Sequence, residues 1–280
     1  MERRQARQSP RTGWSATPVP PGLRREWKDL LKTCAQRTEE MRREHRGRAG
    51  LDETEEIVFA LARAVEQRDV NTGGHCERLA FIGVALGIAV GLDRRSLLAL
   101  YRGGYLHDVG KVGIPDSILF KPSKLTAEEW VTMRSHSVRG EEICRHLKSL
   151  RTVLPVIRHH HERWDGSGYP DGLRGDQIPV LARILQIADI YDALTSARPY
   201  KPAFAPAKAL DIMRDETERG WRDPRIFHLF LRLHEDVISK VETFGTTKHS
   251  LLSMQQSLVS LQRSLIAESA ALTNSQLQVA

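Results

Sequence analysis

The stretch His159-His160-His161-Glu162-Arg163-Trp164-Asp165-Gly166-Ser167-Gly168-Tyr169-Pro170-Asp171-Gly172-Leu173 sets adjacent imidazoles at the mouth of a turn-rich segment. Glycine, proline, aspartate and serine at this density make a loop rather than a helix. Imidazole nitrogens at a helix-to-loop boundary suit a borderline metal such as iron, manganese or zinc. A His run alone is equally the mark of a solvated polar turn. The metal reading sharpens because His75, His107, Asp108, His136 and Asp189 are also awkward as mere core. With His160 and His161 they supply five imidazoles and two carboxylates, enough for two metals sharing a carboxylate. His107 and Asp108 are neighbours at a helix end and point about 100° apart. One can therefore serve one metal while the other stands between both. Lys111, one turn after His107, could meet a phosphate; as an ammonium it cannot bind metal.

The elements that must position these groups read as helices. Asp52 and Glu55 resemble an N-cap pair, and a helix follows through Ile57, Leu61, Ala64 and Val65 to about Arg68. Gly73-Gly74 break the chain and His75 opens the next helix, whose stretch from Arg78 to Leu92 is apolar on most faces, as a buried helix is. Asp93 can cap the following helix, which runs through Leu97, Tyr101 and Gly104 to His107-Asp108. Thr126 and Glu129 form a capping box, with Leu125 and Trp130 as the hydrophobic staple beside it. The helix they start aligns Trp130, Met133, His136, Gly140, Ile143 and Leu147 on one stripe, so from this helix alone His136 reads as a core histidine. From Leu181 to Thr195 apolar residues cover nearly the whole circumference, yet Asp189 and Asp192 sit among them. A buried carboxylate needs a partner, a hydrogen bond or a metal, which makes Asp189 informative. Helices from Lys208 to about Asp215 and from Arg225 to about His234 close the unit, with Asp223-Pro224 as the turn between. No alternating strand pattern is found, and the fold expected is all-α.

Composition bounds the class. The chain has 280 residues, 40% hydrophobic and 28% charged, ordinary values for a globular protein with one sizeable core. Cys34, Cys76 and Cys144 are scattered and odd in number, so they form no disulfide framework and point to a reducing cytoplasm. Cys76 and Cys144 read as core thiols rather than ligands. The longest apolar run, Leu79 to Leu92, is too short to span a bilayer, and no apolar signal segment is seen. The net charge of +7 belongs to residues 1–48, which hold 13 Lys+Arg against 6 Asp+Glu. A solvated linker is the commoner meaning of such an arm, and nucleic acid is not the expected partner. Within it Leu23, Trp27, Leu30 and Cys34 have helical spacing. Beyond residue 236, Leu251, Met254, Leu258, Leu261, Leu265 and Leu272 approximate a heptad seam, broken by Glu268. A helix packed on its own domain and a homodimer seam both fit it.

At these residues the chain resembles the HD-GYP domains, the subgroup of the HD superfamily that hydrolyses cyclic di-GMP in bacteria. The HD pair is His107-Asp108 within Leu106-His107-Asp108-Val109-Gly110-Lys111-Val112-Gly113-Ile114-Pro115, and the GYP triplet is Gly168-Tyr169-Pro170. Glu66-Gln67-Arg68-Asp69 and Thr72-Gly73-Gly74-His75 fit the family's opening. Ile187-Ala188-Asp189-Ile190-Tyr191-Asp192-Ala193-Leu194-Thr195-Ser196 and Arg198-Pro199-Tyr200-Lys201 fit its close. These motifs stand in the family's order, and the resemblance covers about residues 51–236. The organisation implied is a basic arm with a connecting helix over 1–50, a helical HD-GYP bundle over 51–236 and an amphipathic helical tail over 237–280.

The resemblance implies two divalent metal ions, iron or manganese. One would be held by His75, His107 and Asp189, the other by His136, His160 and His161, with Asp108 bridging. It implies that Lys111, Arg198 and Lys201 hold substrate phosphate and that Tyr169 lies near a guanine or its ribose. Asp69 and Asp192 would stand behind the ligands, orienting them, pairing with Lys111 or protonating the leaving oxygen. His159 has no role in the family pattern and reads as a surface residue. The activity implied is hydrolysis of cyclic di-GMP to pGpG, which the family often cuts again to GMP, by a hydroxide bridging the metals. Two other readings remain: a catalytically weak module presenting the GYP loop to a partner such as a diguanylate cyclase, and a hydrolase of another cyclic dinucleotide. The filled ligand positions favour an enzyme. The chain departs from the pattern at Ala197, often Asp in the family, and at Trp221-Arg222, often an aromatic pair with Phe. It also has Asn71 where members with a third metal carry a Glu, so two metals are expected.

Overall fold

The computed structural model describes residues 53–68, 74–197 and 202–244. The basic arm, Cys34, Asp69, Asn71, Arg198, Lys201 and the heptad-like tail lie outside the described residues. Among the described residues there are helices and no strands, as expected for an all-α chain. We number the α-helices α1 (Glu53–Arg68), α2 (His75–Val90), α3 (Arg94–Leu106), α4 (Asp116–Leu119), α5 (Ala127–Arg134), α6 (His136–Cys144), α7 (Leu154–His159), α8 (Val180–Thr195), α9 (Pro206–Glu218) and α10 (Pro224–Phe244). Short 3-10 turns cover Val109–Gly113, Lys148–Leu150 and Gly175–Gln177.

Helix α2 is the centre of the bundle. Apolar on every side, it packs against α3, α8 and α10 and buries Leu79, Phe81, Ile82 and Leu86 completely. Each such side chain stabilises the fold by about 1.5–3 kcal/mol. Helix α8 lies across it, and α10 closes the far side with Phe227 and Phe230. Helix α10 runs on through residue 236 without a break.

Two glycines set the distances that matter. A Cβ on Gly104 would stand 2.5 Å from the backbone nitrogen of Ala80, so α2 and α3 cross in backbone contact and bring His75 beside His107. Gly110 does the same for the 3-10 turn Val109–Gly113 against α6, where a Cβ would fall 1.9 Å from His136 O. That contact carries His136 to Asp108.

Several local expectations hold. Asp93 accepts from the Ser96 backbone at 2.9 Å and caps α3. The Thr126–Glu129 capping box opens α5 with both hydrogen bonds formed. Cys76 and Cys144 are buried free thiols, and burial pushes Cys144 up to about 11. Others are corrected. The single stripe from Trp130 to Leu147 is cut at Ser135, where the chain ends α5 and restarts as α6. The turn rotates the two halves apart, leaving Trp130 46% and Ile143 47% exposed. On α1 the buried face is Phe59, Ala62 and Val65, while Leu61 is 57% exposed, because Phe59 packs on Tyr101 and Tyr105 of α3.

Candidate metal centre

The structure brings all seven predicted ligands together. Ligand atoms of His75, His107 and Asp108 lie within 4.8 Å of one another, as do those of Asp108, His136, His160 and His161. Asp108 belongs to both groups. Its Oδ1 faces His136 Nε2 at 3.2 Å and His160 Nε2 at 3.8 Å, while Oδ2 faces His107 Nε2 at 3.2 Å. Asp189 joins from α8, its Oδ1 3.9 Å from His75 Nε2. His107, His136 and His160 are all buried, so His136 is no ordinary core residue but one wall of the site.

Helix ends hold the rings. His107 Nδ1 donates to Gly104 O at 3.1 Å, His136 Nδ1 to Met133 O at 2.7 Å and His160 Nδ1 to Ile157 O at 2.8 Å. Each acceptor is among the last carbonyls of α3, α5 or α7, which lack partners within their helix. A carbonyl only accepts, so Nδ1 carries the hydrogen and Nε2 is left to point its lone pair inward. His75 is fixed differently: Nδ1 donates to Asp192 Oδ2 at 2.7 Å. Asp192 is held in turn by Arg78, whose Nη2 lies 3.0 Å from the same oxygen, and by the Ser196 hydroxyl at 3.3 Å. Asp192 thus contacts the outer nitrogen of His75.

The residues fit a metal. His107 Nε2 and Asp108 Oδ1 are buried and make no hydrogen bond among the described residues. Inward lone pairs facing carboxylate oxygens repel unless a cation lies between them. The charge balance responds accordingly. Burial opposes the charged form of His107, but the adjacent Asp108 carboxylate outweighs it and raises the ring to about 9. With no cation between them a proton on Nε2 takes that place, and a metal binds His107 only by displacing it. Burial likewise opposes the Asp108 anion, yet Lys111 and His107 hold it well below the usual carboxylate range. His160 and His161 are lowered by burial, His161 also by its neighbouring imidazoles, which keeps them neutral as ligands must be.

Around this centre the predicted substrate residues divide. Lys111 Nζ sits 2.9 Å from Asp108 Oδ2, at the metal group rather than beside it. The Tyr169 ring stacks on His161 with centroids 4.8 Å apart, and the Arg134 guanidinium lies 5.2 Å from its centroid. Its hydroxyl is pushed up by burial and by the Asp108 and Asp189 carboxylates. Tyr169 thus buttresses a candidate ligand, and the Tyr169–Pro170 bond is cis.

Sequence reasoning missed the supports of the GYP loop. Glu162 is 1% exposed and its carboxylate accepts from the backbones of Asp171 at 2.7 Å and Leu173 at 3.1 Å. Gln186 of α8 donates to Glu162 O. His159 is not a loose surface residue: Nε2 lies 2.9 Å from Asp171 Oδ2, and Arg158 grips the same carboxylate at 2.7 Å. A glutamate flanked by His and Arg offers no sequence signal for this role, since only the folded loop supplies its two amides.

An HD domain family profile matches residues 60–226. A 3′3′-cGAMP-specific phosphodiesterase of Vibrio cholerae is 40% identical over 190 residues, 66% of this chain and 36% of its own. A cyclic di-GMP phosphodiesterase response regulator of Xanthomonas campestris is 40% identical over 195 residues, 68% of this chain and 51% of its own. The chain therefore spans about a third to a half of these relatives. The crystal structure of a cyclic GMP-AMP-specific phosphodiesterase of V. cholerae superposes with a TM-score of 0.52 at 20% identity, over 74% of this chain and 53% of the other, and shares its fold. The HD domains are metal-dependent, and the histidine–aspartate groups here could bind metal. With the HD pair at the shared carboxylate and the GYP loop stacked on a candidate ligand, this chain belongs to the HD domain family, in its HD-GYP branch.

Proposed function

We propose that this chain is a phosphodiesterase that hydrolyses cyclic di-GMP to linear pGpG at a two-metal centre. The observation that carries the reading is Asp108, whose two oxygens face two separate imidazole sets. One cation would be held by His75, His107 and Asp189, the other by His136, His160 and His161, with Asp108 shared. Iron or manganese suits these mixed imidazole and carboxylate donors. Asn71 brings no charge to a third cation, which supports a count of two. Such ions supply Lewis acidity at the phosphoryl oxygens and lower the pKa of water to near neutrality.

The chain's own residues do the rest. Lys111, beside the shared carboxylate, meets the negative phosphate and stabilises the charge that grows on it. Arg198 and Lys201 are assigned to the second phosphate. The Asp192–His75 hydrogen bond keeps the ring in the tautomer that offers Nε2. Asp192 is a positioning residue, since His75 stands between it and the substrate side; Asp69 is left to protonate the leaving 3′ oxygen. Tyr169, stacked on His161, presents its outer edge towards a guanine or ribose. A full ligand set supports an enzyme rather than a module that only presents the loop to a partner. Among the described residues no helix is long and apolar enough to cross a membrane.

A second substrate, 3′3′-cyclic GMP-AMP, is favoured by the names of relatives of similar identity. The deciding experiment purifies the protein without oxygen, counts its metals and follows both dinucleotides by chromatography. Cyclic di-GMP turnover with two metals per chain is expected, and Asp108→Ala should lose most metal and essentially all turnover while its helices persist by circular dichroism. Near-normal turnover in that variant would remove the basis of the reading, and preference for the mixed dinucleotide would reassign the substrate.

A further inference from the structure

A cavity of about 320 Å³ opens between α3 and the turn that leads into α7, and it shares no residue with the metal centre. Arg95 and Arg102 line one wall, seven residues apart on α3 and so on one face of the helix. Lys148, Ser149, Arg151 and Thr152 line the other, on the 3-10 turn and the residues after it. Arg102 Nη1 donates to Ser149 O at 3.2 Å and ties the walls together, so the opening has a set shape. Leu98 is the one apolar residue of the lining, and no carboxylate is among it.

We propose that this cavity is an anion site that takes the phosphate group of a small phosphate-bearing molecule. Ligand pockets usually hold a mostly apolar surface with a few polar groups. Here four of the seven lining residues, Arg95, Arg102, Lys148 and Arg151, carry a positive charge, which suits recognition by charge rather than by a base or an acyl chain. Guanidinium groups present forked donors that match phosphate oxygens two at a time. The Ser149 and Thr152 hydroxyls can donate to the remaining oxygens. Like charges gathered around one opening repel one another, and an anion reverses the sign of that interaction. Arg95 stands about 18 Å along α3 from His107 at 1.5 Å per residue, so the ligand would lie outside the reaction chamber. It would nevertheless bridge α3, whose end delivers His107, and the turn that leads into α7, whose far end delivers His160. The site does not depend on which dinucleotide the metal centre cleaves.

The test uses the full-length, metal-loaded protein and two probes, glycerol 1-phosphate and GMP, titrated by calorimetry. Both should bind at the cavity with similar affinity, weakening as NaCl is raised because exposed charges are screened. Arg95→Ala/Arg151→Ala removes two exposed cations without touching the core, and should weaken binding at least tenfold with the fold unchanged by circular dichroism. Asp108→Asn, which impairs the metal centre, should leave it intact. Equal binding in the double variant would overturn the proposal. So would loss in Asp108→Asn alone, which assigns the heat to the metal centre. Binding of GMP without glycerol 1-phosphate would show recognition of the base and overturn it too, as would no binding of either at millimolar concentration.

Discussion

Gly110→Ala tests whether close helix approach builds the metal centre. The added Cβ would stand 1.9 Å from His136 O and 2.5 Å from Gly140 N. Such contacts essentially never fall below 3.0 Å, so the 3-10 turn and α6 must part by about 1.1 Å. Both obstacles are backbone and cannot swing aside. Asp108 lies two residues before Gly110, and His136 is the first residue of α6. The displacement therefore falls on the 3.2 Å gap between Asp108 Oδ1 and His136 Nε2. Metal–ligand distances tolerate about 0.2 Å, so the shift is about five times too large. Overpacking of this kind costs about 1–3 kcal/mol, less than the stability of most domains, so the protein should still fold. Elemental analysis after gel filtration, paired with thermal melts, should show a folded variant that has lost at least half its metal and nearly all its turnover. Gly113→Ala is the control on the same turn: its Cβ meets only the flexible Arg139 side chain, at 2.8 Å from Nη1 and 3.2 Å from Cδ, and metal content should not change. Wild-type metal and turnover in Gly110→Ala would refute the argument.

Other outcomes follow from the same contacts. Lys111→Ala should lower kcat while most metal stays bound, read by turnover and elemental analysis together; parallel loss of metal would make Lys111 a structural partner of Asp108. Asp192→Asn should weaken metal binding by about 10–100-fold in chelator competition, because the His75 ring loses its anionic partner. Arg158 and then His159 lower Asp171 from 3.8 to about 2, so its stabilising contribution is full above the ordinary value and is lost as pH falls towards 2. The difference in melting temperature between wild type and Asp171→Asn should shrink over that window; a constant difference would show that the ion pair holds nothing in place.

Much of the scaffold was legible because local signals decide helix ends. Asp93, the Thr126–Glu129 box and the Gly74–His75 start depend on neighbours within four residues. The candidate ligand Asp189 stood out for another reason: a carboxylate in an apolar helix demands an explanation, whereas His136 on its own stripe reads as core and joins the set only through the family resemblance. The break at Ser135 was not, because the stripe remains regular across it and only packing against the Gly110 turn favours two short helices over one. Leu61 and Phe59 have similar hydropathy, and the choice between them rests on the aromatic faces of Tyr101 and Tyr105. Glu162, Gln186 and His159 carry out roles that exist only once the GYP loop has closed. The Lys111–Asp108 pair was missed because the 3-10 turn brings the ammonium back over the residue three before it.

Three of the candidate ligands have their rings fixed by a carbonyl three residues back, whereas their convergence spans the chain from His75 to Asp189. During refolding, then, His107, His136 and His160 can adopt their binding tautomers as soon as single turns form, on the submicrosecond scale of helix formation. A site able to capture metal arises only when α2, α3, α6, α7 and α8 dock, a step governed by contacts distant in sequence. Metal uptake is thus a clock for the last stage of assembly: in a stopped-flow experiment it should lag the far-ultraviolet helical signal and coincide with burial of the Phe227 and Phe230 core.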